Sequence, residues 1–173
     1  MRLGRFVAAL AAAAAVQSLG LSLHGGFFVA IDLFLVVAVY FSLDDPPVAS
    51  MLRGTATGLV QDALTGGLFG LHGFADTLVA WAASRLRQRV VIQQPPQVGL
   101  LFALAAALQH TLLVALQYFM LPGSLLPGLG VMALRMVATG VAGALIYVVA
   151  GHIRRRLKAW RERRRRKLAL EID

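Results

Sequence analysis

Cysteine is missing from this 173-residue chain, which excludes disulfides, thiolate chemistry and cysteine-based metal sites while fixing no redox compartment. Charge is scarce: Asp, Glu, Lys and Arg make up 14% of the residues, where a soluble domain carries about a quarter. Acidic side chains number eight against 17 Lys and Arg, and there are only two Trp and three Tyr. What fills the chain instead is apolar: 58% hydrophobic residues and a mean hydropathy of +0.73. No polar segment could bury a core of its own, so the composition describes a single-domain integral membrane protein. The formal net charge of +9 would suggest nucleic acid in a soluble protein, but its distribution here points to membrane orientation.

Catalytic signatures are absent as well. There is no HExxH, no Walker loop, no Ser-His-Asp signature and no close carboxylate pair with an acid–base division. The glycines lack the strand-to-helix setting and the following Lys that a phosphate cradle needs. His72 and His110 are too far apart in sequence for a metal site of three or four converging ligands. The expectation is therefore a protein that is not an enzyme and holds no cofactor or metal.

A bilayer is crossed by about 20 apolar residues. On that basis the sequence predicts an all-α, six-helix transmembrane bundle with spans near 6–23, 27–43, 48–65, 68–84, 97–121 and 129–150. The breaks fall at His24-Gly25-Gly26, Asp44-Asp45-Pro46-Pro47, Gly66-Gly67, Pro95-Pro96 and Pro122 to Gly128. The third span is the least hydrophobic, which leaves five spans plus a re-entrant segment as the alternative. Arg2, Arg5 and the run Phe6 to Val16 imitate a secretory signal. Ala15-Val16-Gln17 makes an unattractive cleavage site, however, and the apolar run continues to Leu23, so an uncleaved first helix is expected.

Basic residues set the orientation. Arg2 and Arg5 precede the first span, Arg85, Arg87 and Arg89 follow the fourth, and ten of the 17 Lys and Arg lie from Arg154 onward. The loops at 24–26, 66–67 and 122–128 hold none. Both termini are expected in the cytoplasm, as an even number of spans requires. The division is then a transmembrane domain at 1–153 and a basic cytoplasmic tail at 154–173. In that tail Arg154, Arg155, Arg156 and Arg164, with Trp160 as an interfacial anchor, suit contact with anionic lipids or a cytosolic protein rather than nucleic acid.

Between Gly54 and Gly70 a distinctive residue recurs at every fourth position: Gly54, Gly58, Asp62, Gly66 and Gly70. Residues four apart share a helix face, so Gly54 and Gly58 make a bare strip leading to a carboxylate. Such a strip lets another helix approach closely in a membrane, and an ionisable group on it is expected to organise the bundle or meet a partner. Asp32, Asp62, Asp76 and Arg135 fall at related depths, roughly 5–12 Å below the outer boundary at about 1.5 Å per residue. They form an expected intramembrane polar cluster. It could be a ligand pocket, ion path or docking site, or simply an internal ion pair with snorkelling side chains.

The ladder, following an Asp32-Leu33 span that ends near Tyr40, resembles the rod shape-determining protein MreD family. The resemblance covers the chain in length, span count and basic C-terminus, and is specific over positions 32 to 81. It implies a bacterial inner-membrane protein of the cell-wall elongation machinery that binds the bitopic protein MreC. Through MreC it would be linked to RodA, a class B penicillin-binding protein and MreB. It also implies a fold similar to the substrate-binding subunits of energy-coupling-factor vitamin transporters. By family pattern Gly54, Gly58, Asp62, Gly66 and Gly70 carry over, whereas Asp76 and Arg135 do not. Two functions remain: a non-enzymatic membrane scaffold, or a vitamin-binding transporter subunit docking through the alanine-rich first span.

Overall fold

The computed structural model describes residues 2–22, 31–66, 68–89, 94–120 and 128–170. These form six helices: α1 (Arg2–Ser22), α2 (Leu33–Ser42), α3 (Pro47–Thr65), α4 (Leu71–Arg89), α5 (Pro95–Met120) and α6 (Leu129–Leu170). Their boundaries follow local chemistry. Asp32 caps α2, its Oδ1 accepting from the Leu35 amide at 2.9 Å. Pro47 opens α3, where a missing N–H removes nothing that the helix would have used. Gly66 ends α3 in the left-handed region at φ 67°, and its amide bonds back to the Asp62 carbonyl at 3.2 Å. Gly70 takes φ 99° at the turn into α4.

The short α2 packs against each of the other five helices. Phe34, Leu35, Val36, Ala38 and Val39 are all buried, so this helix is apolar around its whole circumference, as a central element must be. Leu35, Val36 and Val39 join Val79 and Ala83 of α4 and Val98, Leu101, Phe102, Ala105 and Ala106 of α5 in the main core. Two tight pairs frame it, α3 with α4 and α5 with α6. In the second pair a Cβ on Gly143 would enter the Phe102 ring, and one on Gly140 would sit 3.0 Å from the Ala103 Cβ. This small-residue seam lies outside the ladder.

Among the described residues, three helices are both long and apolar enough to cross a membrane: Leu3–Gly20, Pro96–Met120 and Gly130–Ile153. Helices α3 and α4 have 19 residues each, about 28 Å of helix, but their mean hydropathy is lowered by Arg53, Thr57, Gln61, Asp62, His72, Asp76 and Ser84. Thr57, Gln61, Asp62, Asp76 and Ser84 are buried against neighbouring helices, which is why composition understates these two as membrane elements. On α6, by contrast, Leu134, Val137, Val141, Leu145, Val149 and Ile153 form an exposed apolar stripe. An apolar outside around a polar interior is membrane-protein architecture. Helix α6 runs unbroken past the expected domain boundary at 153/154.

At the end of the bundle where α2 stops, Arg53 pairs with Asp45, and its guanidinium carbon lies 5.6 Å from the ring centres of both Phe6 and Phe41. The pair is closed by the Ser84 hydroxyl, which donates to the Asp45 carbonyl at 2.8 Å. Delocalised guanidinium is suited to such stacking and is cheaper to desolvate than an ammonium.

Candidate functional site

The site is built where α3 turns into α4 and where α2 begins. Asp62 sits in the last turn of α3, an unfavourable place for a carboxylate with respect to that helix's own dipole. Its side chain instead serves the next helix. Gly70, at the entry to α4, has no side chain with which to cap it. Asp62 takes that role from across the turn: Oδ2 accepts from the Gly70 amide at 2.8 Å and the Gly73 amide at 3.1 Å. Oδ1 accepts from the His72 amide at 3.2 Å, and the His72 Nδ1 lies 2.7 Å away. Three otherwise orphaned amides at the positive end of α4 thus meet one buried negative charge.

The glycines fit this arrangement. A Cβ on Gly54 would strike the Asp76 carbonyl and lie 2.8 Å from the Ala80 Cβ. One on Gly58 would strike the His72 carbonyl and lie 2.6 Å from the Gly73 amide nitrogen. The α3 and α4 backbones therefore touch, and the contact is reinforced by the Thr55 and Thr77 hydroxyls at 2.6 Å. Of the five ladder positions, Gly54, Gly58 and Asp62 lie on α3, whereas Gly66 and Gly70 lie beyond its end.

A second network centres on Asp32. Its Oδ2 accepts from Gln61 Nε2 and from Gln109 Nε2, both at 3.0 Å. Gln109 Nε2 also donates to Asp76 Oδ1 at 2.7 Å, and the Asp32 amide donates to Thr139 Oγ1 at 3.2 Å. Five helices are joined through these bonds: α2 at Asp32, α3 at Gln61, α4 at Asp76, α5 at Gln109 and α6 at Thr139. The structure thus links Asp32 to Asp76 through Gln109 and gives Asp62 a separate set of partners.

Arg135 joins neither network. It lines a cavity of about 450 Å³ together with Asp32, Gln61, His72, Gln109, His110 and Thr139. Among the described residues it makes no hydrogen bond or ion pair. No group of three potential metal ligands occurs among the described residues. In the tail, Arg156 is exposed, while the side chains of Arg154, Arg155, Trp160 and Arg164 lie outside the described ones.

Sequence reasoning passed over Gln61, Gln109 and Thr139, because only charged residues were weighed as a cluster inside the spans; it weighed His72 only as a metal ligand, and it left out Arg53, a charge within the third span. Amides and hydroxyls beside intramembrane carboxylates were the available signal, since a buried carboxylate must collect donors. For Arg53 it was Asp45, eight residues earlier across a Pro-Pro turn.

The chain matches no curated protein and no solved structure, so the expected likeness to energy-coupling-factor subunits has no structural comparison behind it. The sequence model of the family described as rod shape-determining protein MreD matches residues 2–151. That stretch contains five of the helices whole and α6 as far as Gly151. A role in rod shape determination follows, and the chain belongs to the MreD family.

Proposed function

We propose that this chain is a non-enzymatic scaffold of the bacterial cell-wall elongation complex, lying in the inner membrane with both termini cytoplasmic. It binds an MreC-like bitopic protein and through it meets RodA, a class B penicillin-binding protein and MreB. The family's role in rod shape determination supports this placement. The observation that carries the scaffold reading is how the buried carboxylates are used. Asp32 and Asp76 tie five helices into one body and Asp62 fixes the α3–α4 turn, so this polar chemistry serves rigidity. A rigid body gives another membrane helix a fixed surface to pack against, and close packing is what drives helix association in lipid. The Arg-rich end of α6 adds attraction to anionic lipid, about 1 kcal/mol for each Lys or Arg near the surface.

Two measurements test the reading. An affinity-tagged form should retain the MreC-like protein of the same cell through detergent extraction. Recovery of an ATPase module or a tightly held vitamin in its place would favour a transporter subunit. Reporter fusions at residue 173 and within 122–128 should report opposite sides of the membrane; the same side for both would overturn the orientation.

A further inference from the structure

Eight acidic residues are available to neutralise Arg135, and their positions account for all of them. Asp44 and Asp45 lie at the far end of α2. Glu162, Glu171 and Asp173 follow the membrane-spanning part of α6. The remaining three, Asp32, Asp62 and Asp76, take their described hydrogen bonds from amide, histidine and backbone donors. Arg135 therefore projects a fixed charge with five N–H donors into the cavity, and among the described residues no carboxylate is bonded to it. A guanidinium at membrane depth without a counter-ion is expensive to keep.

The rest of the wall narrows the chemistry of a counter-ion. Ile31, Leu113, Val114, Val131 and Met132 make part of it apolar. Gln61 and Gln109, also in the wall, spend their amide nitrogens on carboxylates and leave both Oε1 atoms buried without a partner. The volume of about 450 Å³ suits a small molecule or the headgroup of a larger one.

We propose that this cavity, bounded by the start of α2, the turn from α3 into α4, and α5 and α6, is a binding site for a phosphate-bearing amphiphile. Its anionic group is held by Arg135, its hydroxyl or ammonium donors face Asp32 and the glutamine oxygens, and its apolar part runs along the aliphatic wall. Guanidinium offers two parallel N–H donors to a phosphate, a pairing stronger than a neutral hydrogen bond. A glycerol or ethanolamine phosphodiester satisfies both halves of the site. The source is either a membrane lipid headgroup or a soluble phosphate compound. The site is independent of the scaffold reading and would stand if that reading failed.

The test uses the full chain purified in detergent and washed in 1 M NaCl. At that ionic strength the Debye length is about 3 Å, so lipid held only by the charges of the basic tail is released. Phosphorus analysis and mass spectrometry of the washed protein should find about one phospholipid per chain. Arg135→Gln should retain roughly tenfold less, the scale on which losing a charge-assisted pair acts. Thermal unfolding of the lipid-stripped protein separates the sources. Stabilisation by phosphatidylglycerol or phosphatidylethanolamine alone identifies a lipid headgroup; stabilisation by glycerol phosphate or inorganic phosphate identifies a soluble anion. Should Arg135→Gln fail to fold, the wild type decides the matter against dioleoylglycerol, which has the tails without the phosphate. Equal stabilisation by dioleoylglycerol and the phospholipids, equal retention by the variant, or no response to any of these probes would overturn the proposal.

Discussion

Gly58→Leu should abolish accumulation of the folded protein, and Gly58→Ala should already lower it. The first added carbon would land on the His72 carbonyl and 2.6 Å from the Gly73 amide nitrogen. These are backbone atoms of the first turn of α4, which cannot rotate aside as a side chain can. Overpacking a fitted interior typically costs about 1–3 kcal/mol, and here the helices would have to separate. Separation would also pull the Gly70, His72 and Gly73 amides from Asp62. Gly54→Ala should behave in the same way, against the Asp76 carbonyl and Ala80. Gly151→Ala is the control: a Cβ there meets nothing within 4 Å, and alanine is the better helix former by about 0.5–1 kcal/mol. Yield of monodisperse protein and its melting temperature check the series. Equal behaviour of the Gly58 and Gly151 variants would mean that α3 and α4 do not touch.

Asp62→Ala should be the most damaging single change at the turn, with Asp62→Asn intermediate. Alanine strands three amides and the His72 ring where little water reaches, and each unsatisfied buried group costs about 1–3 kcal/mol. Asparagine keeps one acceptor for the Gly70 and Gly73 amides. Its NH₂ can donate to His72 Nδ1 if the ring holds its proton on Nε2. The same NH₂ then confronts the His72 amide, and the charge opposite the α4 dipole is lost, a further contribution of about 0.3–2 kcal/mol. The expected order is wild type, Asn, Ala in melting temperature, in recovery with the proposed MreC-like partner and in rod-shaped growth. Full retention of all three properties by both variants would make Asp62 a tolerated charge.

Much of the fold was legible because helix ends in this chain are written in Pro and Gly. The Asp44-Asp45-Pro46-Pro47 break falls between α2 and α3, Gly66 ends α3, and Pro95 opens α5. The Gly54–Gly58 strip could be read as a packing face from its spacing alone. Partner choice was not legible, because it depends on how each helix is rotated about its axis. Gln61 and Asp62 are neighbours in sequence, yet about 100° separates them around the helix. One therefore reaches Asp32 on α2 while the other caps α4. The four charges expected at similar depth likewise differ in what they bond. Asp32 and Asp76 share one network, Asp62 caps α4, and Arg135 lines a cavity that Asp32 lines as well.

The long sequence separations inside the Asp32 network carry a consequence for biosynthesis. Its donor on α5 follows 77 residues later, and the hydroxyl that receives its amide proton follows 107 residues later. At about 5–20 residues per second, the ribosome needs roughly 5–20 seconds to deliver the second of these. Until α5 arrives, the Asp32 carboxylate has only the Leu35 amide and the Gln61 side chain as donors, and Asp76 lacks its Gln109 donor altogether. Early helices of this chain should therefore linger beside the insertion channel, or share its water, until α5 and α6 arrive. Release would then be a single late event for the whole bundle, and nascent chains arrested before Gln109 should still crosslink to the channel through α2.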